Sequence, residues 1–365
     1  MKYGKIIFFF PIFNRGGLEE VAKSLIKFFL KKNFKIELIT YSKRNINISH
    51  KNLKIFNKIS NEINSSNFFK TLNCGLILND RLKKNDPKSS IVLSLQNSVI
   101  SILFAKLNSY KIIIKNANPI KALFLSGNKF KNFFTFIFKI FFYNFADKVI
   151  VNSEYNKNTL SRYILNKKKV IRIYNPIKME KYKLIKNKKN IILYVGRIVK
   201  EKGLMTLIKA FKIISSKKFK LIIVGDGNYA KYLKLLIKSE GLKNKVHMTG
   251  WISSPKKYYL KSKILVLPTL FEAFGNVLVE GMHYNLACIA SKNSGGPDEI
   301  LANGKYGFQF KKNDIYDLKN KIDYCINNKN ITKNKIALAK KSLNKYSKFK
   351  NLNKYYELIY NKDLR

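Results

Sequence analysis

Pro268-Thr-Leu-Phe-Glu272-Ala-Phe-Gly275-Asn-Val-Leu-Val-Glu280-Gly-Met282 is the stretch on which the reading of this chain turns. It follows an apolar run, Ile264 to Leu267, that reads as a buried strand. Pro268 ends that strand because it has no N–H to donate. Gly275 offers a tight backbone, and the spacing of Val277, Leu278, Val279 and Met282 predicts a helix from about Asn276. A helix that begins at the end of a strand presents unpaired N–H groups and the positive end of its dipole, which suits an anion such as a diphosphate. Glu272 precedes this helix and Glu280 lies in its second turn. A carboxylate accepts hydrogen bonds from two hydroxyls at once, so two of them so spaced suit two different polyols, a sugar ring and a ribose.

Either Glu taken singly would read as a solvated surface residue. The whole run, however, resembles the Glu-x7-Glu motif of retaining GT-B glycosyltransferases of the large GT4 family, also called glycosyl transferases group 1. The resemblance implies an α/β GT-B fold, two Rossmann-like domains facing across a cleft. It also implies transfer of a hexose or N-acetylhexosamine from a nucleotide-diphosphate sugar, a UDP-sugar first, to a saccharide or lipid-linked acceptor in polysaccharide, capsule or lipopolysaccharide synthesis. Two other readings stay open at this point: a GT-B sugar-nucleotide epimerase, and a non-enzymatic basic module for membrane or nucleic acid.

Composition sets outer limits. The 365 residues suit two ordinary domains. Lys and Arg number 72 and Asp and Glu 21, for a net charge of +51. The cations are nearly all Lys and are scattered, not gathered in a stripe, so no specific nucleic-acid partner is expected. Peripheral contact with an anionic membrane is. Cys74, Cys288 and Cys325 are far apart and form neither a disulfide framework nor a metal spacing. The N-terminal apolar run is too short for a signal peptide and no stretch is long enough to span a bilayer. The expected location is therefore the cytoplasm, at the inner face of its membrane. No metal and no cofactor are expected, the nucleotide sugar being a substrate.

Apolar strand-like runs alternate with helical patterns, which predicts parallel sheets covered by helices. Strands are expected over Lys5–Phe10, Lys35–Thr40, Ile91–Leu95, Lys111–Ile114 and Lys148–Asn152, with a helix over Leu18–Leu30 and Ser153 as a helix N-cap. Residues 43–90 carry no legible period. Tyr174-Asn175-Pro176 to about Lys189 reads as a linker. The expected domains are 1–175 for the acceptor, 176–340 for the nucleotide sugar, and 341–365 as a C-terminal helix returning to the first.

The resemblance extends beyond the central motif. Asn14-Arg15-Gly16-Gly17-Leu18-Glu19 resembles the family's Gly-Gly-x-Glu loop, which places Gly16 and Gly17 near donor diphosphate and acceptor. Gly196-Arg197-Ile-Val-Lys-Glu-Lys202-Gly203 is similar to its diphosphate clamp, and guanidinium and ammonium groups suit two phosphates. Gly225-Asp226-Gly227 resembles its turn facing the nucleotide, and Gly250-Trp251-Ile252 its base-reading segment. In the central motif Phe274, Gly275, Asn276 and Val277 complete the donor contacts. Glu272, Arg197 and Lys202 are implied as catalytic and Glu280 as the ribose ligand. One departure stands out: where many relatives carry a His, this chain has Lys115-Asn116-Ala-Asn118-Pro119, and Asn116 or Asn118 is the available polar group. Phe130 to Phe145 reads either as a buried helix or as one lying in a membrane interface, with Lys131 and Lys139 at head groups.

Overall fold

The structure is a computed structural model that describes residues 4–13, 16–42, 46–57, 66–117, 129–183, 185 and 187–360. The chain divides into two units, Met1–Pro176 with Lys348–Arg365, and Ile177–Ser347. Each is built on its own parallel sheet.

In the first unit the strands are β1 (Lys5–Phe9), β2 (Lys35–Ile39), β3 (Leu53–Phe56), β4 (Ser90–Ser94), β5 (Ile112–Asn116), β6 (Lys148–Val151) and β7 (Val170–Arg172). They lie in the order β3-β2-β1-β4-β5-β6-β7, all parallel. The central strands are buried on both faces, which is why they read as unbroken apolar runs. Helices α1 (Gly17–Lys31), α2 (Asn67–Lys83), α3 (Ser98–Leu107), α4 (Lys129–Phe145) and α5 (Glu154–Leu160) connect them. Alternate side chains divide the sheet into two faces. Ile6, Phe8 and Phe10 pack with α1, whereas Ile7 and Phe9 pack with α2, α3 and α4. Ser153 caps α5, its hydroxyl accepting from Asn156 N at 3.2 Å.

The second unit contains β8 (Ile191–Val195), α6 (Leu204–Ile213), β9 (Lys220–Val224), α7 (Ala230–Ser239), β10 (Val246–Met248), α8 (Lys256–Lys261), β11 (Ile264–Leu267), α9 (Asn276–His283), β12 (Ala287–Ser291), α10 (Gly296–Ile300), β13 (Phe308–Phe310), α11 (Ile315–Asn327) and α12 (Lys329–Lys341). Its parallel order is β10-β9-β8-β11-β12-β13. The order reverses between β8 and β11, and ligands of such sheets bind at the carboxyl ends of strands beside that point.

The helix expected over 341–365 spans Lys348–Tyr360. After α12 a short 3-10 turn over Ser342–Tyr346 stays with the second unit, and α13 (Lys348–Tyr360) belongs to the first. There Tyr355 is buried and accepts a hydrogen bond from the enclosed Lys115 Nζ at 2.8 Å. Burial lowers that ammonium to about 7.

Helix α4, the Phe-rich stretch, has one buried and one exposed side. One side is inward, with Tyr143 in the core, while Phe134, Phe138 and Phe141 stand exposed on the other. Lys139 does not reach outward to head groups. Its Nζ donates to Asn116 Oδ1 at 2.8 Å, and burial lowers it to about 8. Asn118 and the side chain of Lys131 lie outside what is described.

Candidate donor site of the second unit

Every donor-site candidate of the second unit follows the carboxyl end of β8, β9, β10 or β11, the strands around the reversal of order. Arg197 and Lys202 follow β8, Gly225 follows β9, Trp251 and Ile252 follow β10, and Glu272 to Glu280 follow β11. Parallel strands deliver their loops to one edge of the sheet, so segments eighty residues apart in sequence share one rim.

Backbone contacts lock this rim. The turn carrying Lys202 is a 3-10 helix over Lys200–Lys202 closed by Gly203 at φ +66°. A Cβ at Gly203 would lie 2.0 Å from Pro268 O, so the clamp turn presses directly on the end of β11. Leu270 N donates to Glu201 O at 2.9 Å, and Thr269 Oγ1 to the same oxygen at 3.3 Å. The result is an ion pair between the partly buried Lys202 Nζ and Glu272 Oε2. Glu272 is held from its other side as well. Its N donates to Ser294 O at 2.8 Å and its O accepts from Gly296 N at 2.9 Å. Both contacts come from the Ser294-Gly295-Gly296 turn after β12, whose last glycine lies against the backbone of Phe274.

Arg197 is exposed, and its guanidinium makes no hydrogen bond or ion pair among the described residues. Its backbone is fixed by the buried Tyr194, whose hydroxyl donates to Arg197 O at 2.8 Å. Gly225 approaches the preceding loop so closely that a Cβ would sit 1.9 Å from Gly196 O. Its N donates to Gly250 O at 3.0 Å, which joins the loops of β8, β9 and β10. Trp251 is half-exposed beside that junction, and Ile252 is partly buried.

Helix α9 starts at Gly275 with no side-chain cap. Asn276 and Val277 form its partly exposed first turn, so its leading N–H groups face the rim. Phe274 is not a side-chain ligand: its ring is buried edge-on to Tyr346 at 5.6 Å, and its backbone lies against Gly296. In the second turn of α9, Glu280 accepts from Tyr259 Oη at 2.7 Å. Burial pushes the Glu280 carboxyl up to about 7, and the Tyr259 hydrogen bond pulls the other way. Tyr259 is buried and stacks on Tyr284 at 5.4 Å. Tyr259, one of two adjacent tyrosines in a lysine-rich helix, carries no motif that would have marked it as Glu280's partner.

Gly16 and Gly17 belong to the first unit, at the start of α1, whose first turn carries Glu19 and Glu20. Asn116 is buried and occupied by Lys139. Among the described residues no group of three His, Cys, Asp or Glu could hold a metal ion. No described helix is long and apolar enough to cross a membrane.

The model of the family described as glycosyl transferases group 1 matches residues 177–342, nearly all of the second unit. This unit is thus similar to the group 1 glycosyltransferases. The amylovoran biosynthesis glycosyltransferase AmsD of Erwinia amylovora is 26% identical, over 86% of this chain and 88% of its own length. The uncharacterized glycosyltransferase MJ1059 of Methanocaldococcus jannaschii is 31% identical, but the match spans only 44% of this chain and 43% of that protein. Among solved structures, Anabaena HepE in complex with UDP and glucose superposes with a TM-score of 0.81 at 18% identity, covering 98% of this chain and 99% of that one. The chain thus has the GT-B fold.

Proposed function

We propose that this protein is a group 1 glycosyltransferase that transfers a hexose or N-acetylhexosamine from a nucleotide-diphosphate sugar, a UDP-sugar first, with retention of anomeric configuration. The acceptor is a saccharide or lipid-linked saccharide of a surface polysaccharide. The second unit binds the donor and the first the acceptor. The observation that carries this reading is the Lys202–Glu272 pair, assembled with the exposed Arg197 and with Glu280 on one rim of the second sheet. HepE supports UDP as the nucleotide, and AmsD supports polysaccharide synthesis.

In this reading Glu280 accepts from the ribose hydroxyls while Tyr259 holds its other oxygen. Arg197 and the α9 N-terminus receive the diphosphate. Lys202 exchanges Glu272 for phosphate, and this exchange frees the Glu272 carboxylate to hold donor-sugar hydroxyls away from the reacting carbon. Charge growing on the departing diphosphate meets fixed cations, a contribution typically worth roughly 3–4 kcal/mol per donor. Glu272 orients and does not attack. The acceptor hydroxyl enters on the face the diphosphate leaves, giving its proton to the donor phosphate. The enzyme acts in the cytoplasm, at the inner face of the membrane.

A thermal-shift panel of UDP-, GDP- and ADP-sugars tests this. A ligand at about 100 times its Kd stabilises by about 2.7 kcal/mol, so a UDP-sugar is expected to raise Tm by several degrees. A flat response to all three nucleotides would reject the donor site.

A further inference from the structure

The outer face of the helix layer in the first unit is apolar. On α4, Phe133, Phe134, Ile137, Phe138, Phe141 and Phe145 are 45–63% exposed. At 100° per residue they fall within an arc of about 140°, opposite Tyr143, which is buried in the core. The neighbouring helices continue the face. Leu103 and Leu107 on α3 are 41% and 70% exposed, and Phe69 and Leu76 on α2 are 59% and 53% exposed. The three helices form one layer. A Cβ at Gly75 of α2 would lie 2.4 Å from Ile100 of α3, α3 packs on α4, and all three bury their inner sides in one core. The six α4 residues alone present roughly 600 Å2, at or above the largest patch a soluble monomer ordinarily shows.

Cations border this face. At the end of α4 the chain returns through Arg162, Tyr163, Leu165, Lys167 and Lys168, all exposed, Leu165 at 90%. Tyr163 packs edge-on to Phe136 at 5.0 Å, and Leu165 N donates to Asn144 Oδ1 at 2.8 Å, so this basic segment is tied to the helix. Apolar rings with cations at their margin suit the boundary between acyl chains and acidic head groups. A second copy of this face would bring like charges together on a chain of net charge +51, which disfavours self-association.

We infer that the α2–α3–α4 face docks on a membrane leaflet rich in acidic lipid, with the α4 phenyl rings at acyl-chain depth and Arg162, Lys167 and Lys168 at head groups. The contact is peripheral, since α4 is too short and too interrupted to span. It lies in the first unit and does not depend on the donor site, so its test is separate from sugar transfer.

Co-sedimentation of the full chain with phosphatidylcholine vesicles, with and without about 30% phosphatidylglycerol, tests it. The wild type is expected to partition onto the anionic vesicles. The Phe134→Ser/Phe138→Ser/Phe141→Ser variant leaves every charge in place and is expected to bind at least ~10-fold less tightly. Phe69→Ser/Leu72→Ser/Leu76→Ser should weaken binding less. In Phe138→Trp, lipids brominated in the acyl chain should quench the new indole. Three results would each overturn the inference: anionic-vesicle binding unchanged by the Phe triple, an unquenched Trp in vesicle-bound protein, or no vesicle binding.

Discussion

At Glu280 the environment of one carboxyl sets a measurable behaviour. Its folded-state value, about 7, lies above the 4.5 of an ordinary glutamate. The folded protein therefore holds the proton more tightly than the unfolded chain. The associated stability is full below the unfolded value and is lost as pH rises through about 7. Glu280→Gln removes this titration. The stability difference between wild type and Glu280→Gln should therefore shift against the wild type by up to about 3 kcal/mol between pH 4.5 and pH 7 and then level off. Chemical denaturation at a series of pH values measures it, and parallel curves would contradict it. Donor affinity should move the other way, rising as the carboxylate forms. Tyr259→Phe deletes the hydrogen bond that favours ionisation, so the midpoint of the affinity profile should move upward in pH. An unchanged midpoint with merely weaker binding would make Tyr259 a packing residue only.

Among the elements, the turn over Lys200–Lys202 and the end of β11 act as one piece. Gly203 is the contact between them, at positive φ and against Pro268 O. Gly203→Ala should cost about 1–3 kcal/mol of stability and displace Lys202 from Glu272. Calorimetry together with donor titration checks this: a melt within a degree of wild type with normal affinity would show that the close approach is not needed. The same elements explain what was legible in the chain. β8, β9 and β11 are buried runs that end in glycine or proline, and both features are local. α2 was not legible because its buried side mixes Thr71, Cys74 and Gly75 with leucines while Phe68, Phe69, Leu72 and Leu76 face out. With apolar residues on both sides, no period emerges. The partnership of Tyr259 with Glu280 spans 21 residues and two helices, which no spacing rule encodes. The break between α12 and α13 was hidden for a related reason. Tyr346 belongs to the core of the second unit and Tyr355 to that of the first, so one basic amphipathic pattern serves two cores.

For the molecule as a whole, the charge of +51 and the donor rim are separate matters. The rim uses two cations placed by strand ends, whereas most lysines decorate the surface and act through long-range attraction. That is why the family could be read from glycine and glutamate positions, and why the cations of the rim gained meaning only from their place beside glycines. In the proposed reaction Lys202 and Glu280 act on the same donor. The most direct measurement is transfer from a labelled UDP-sugar to acceptor in a membrane extract by Lys202→Ala and Glu280→Ala, each checked for a native melt. Each rate should fall at least ~10-fold below wild type; wild-type rates in both variants would contradict the account.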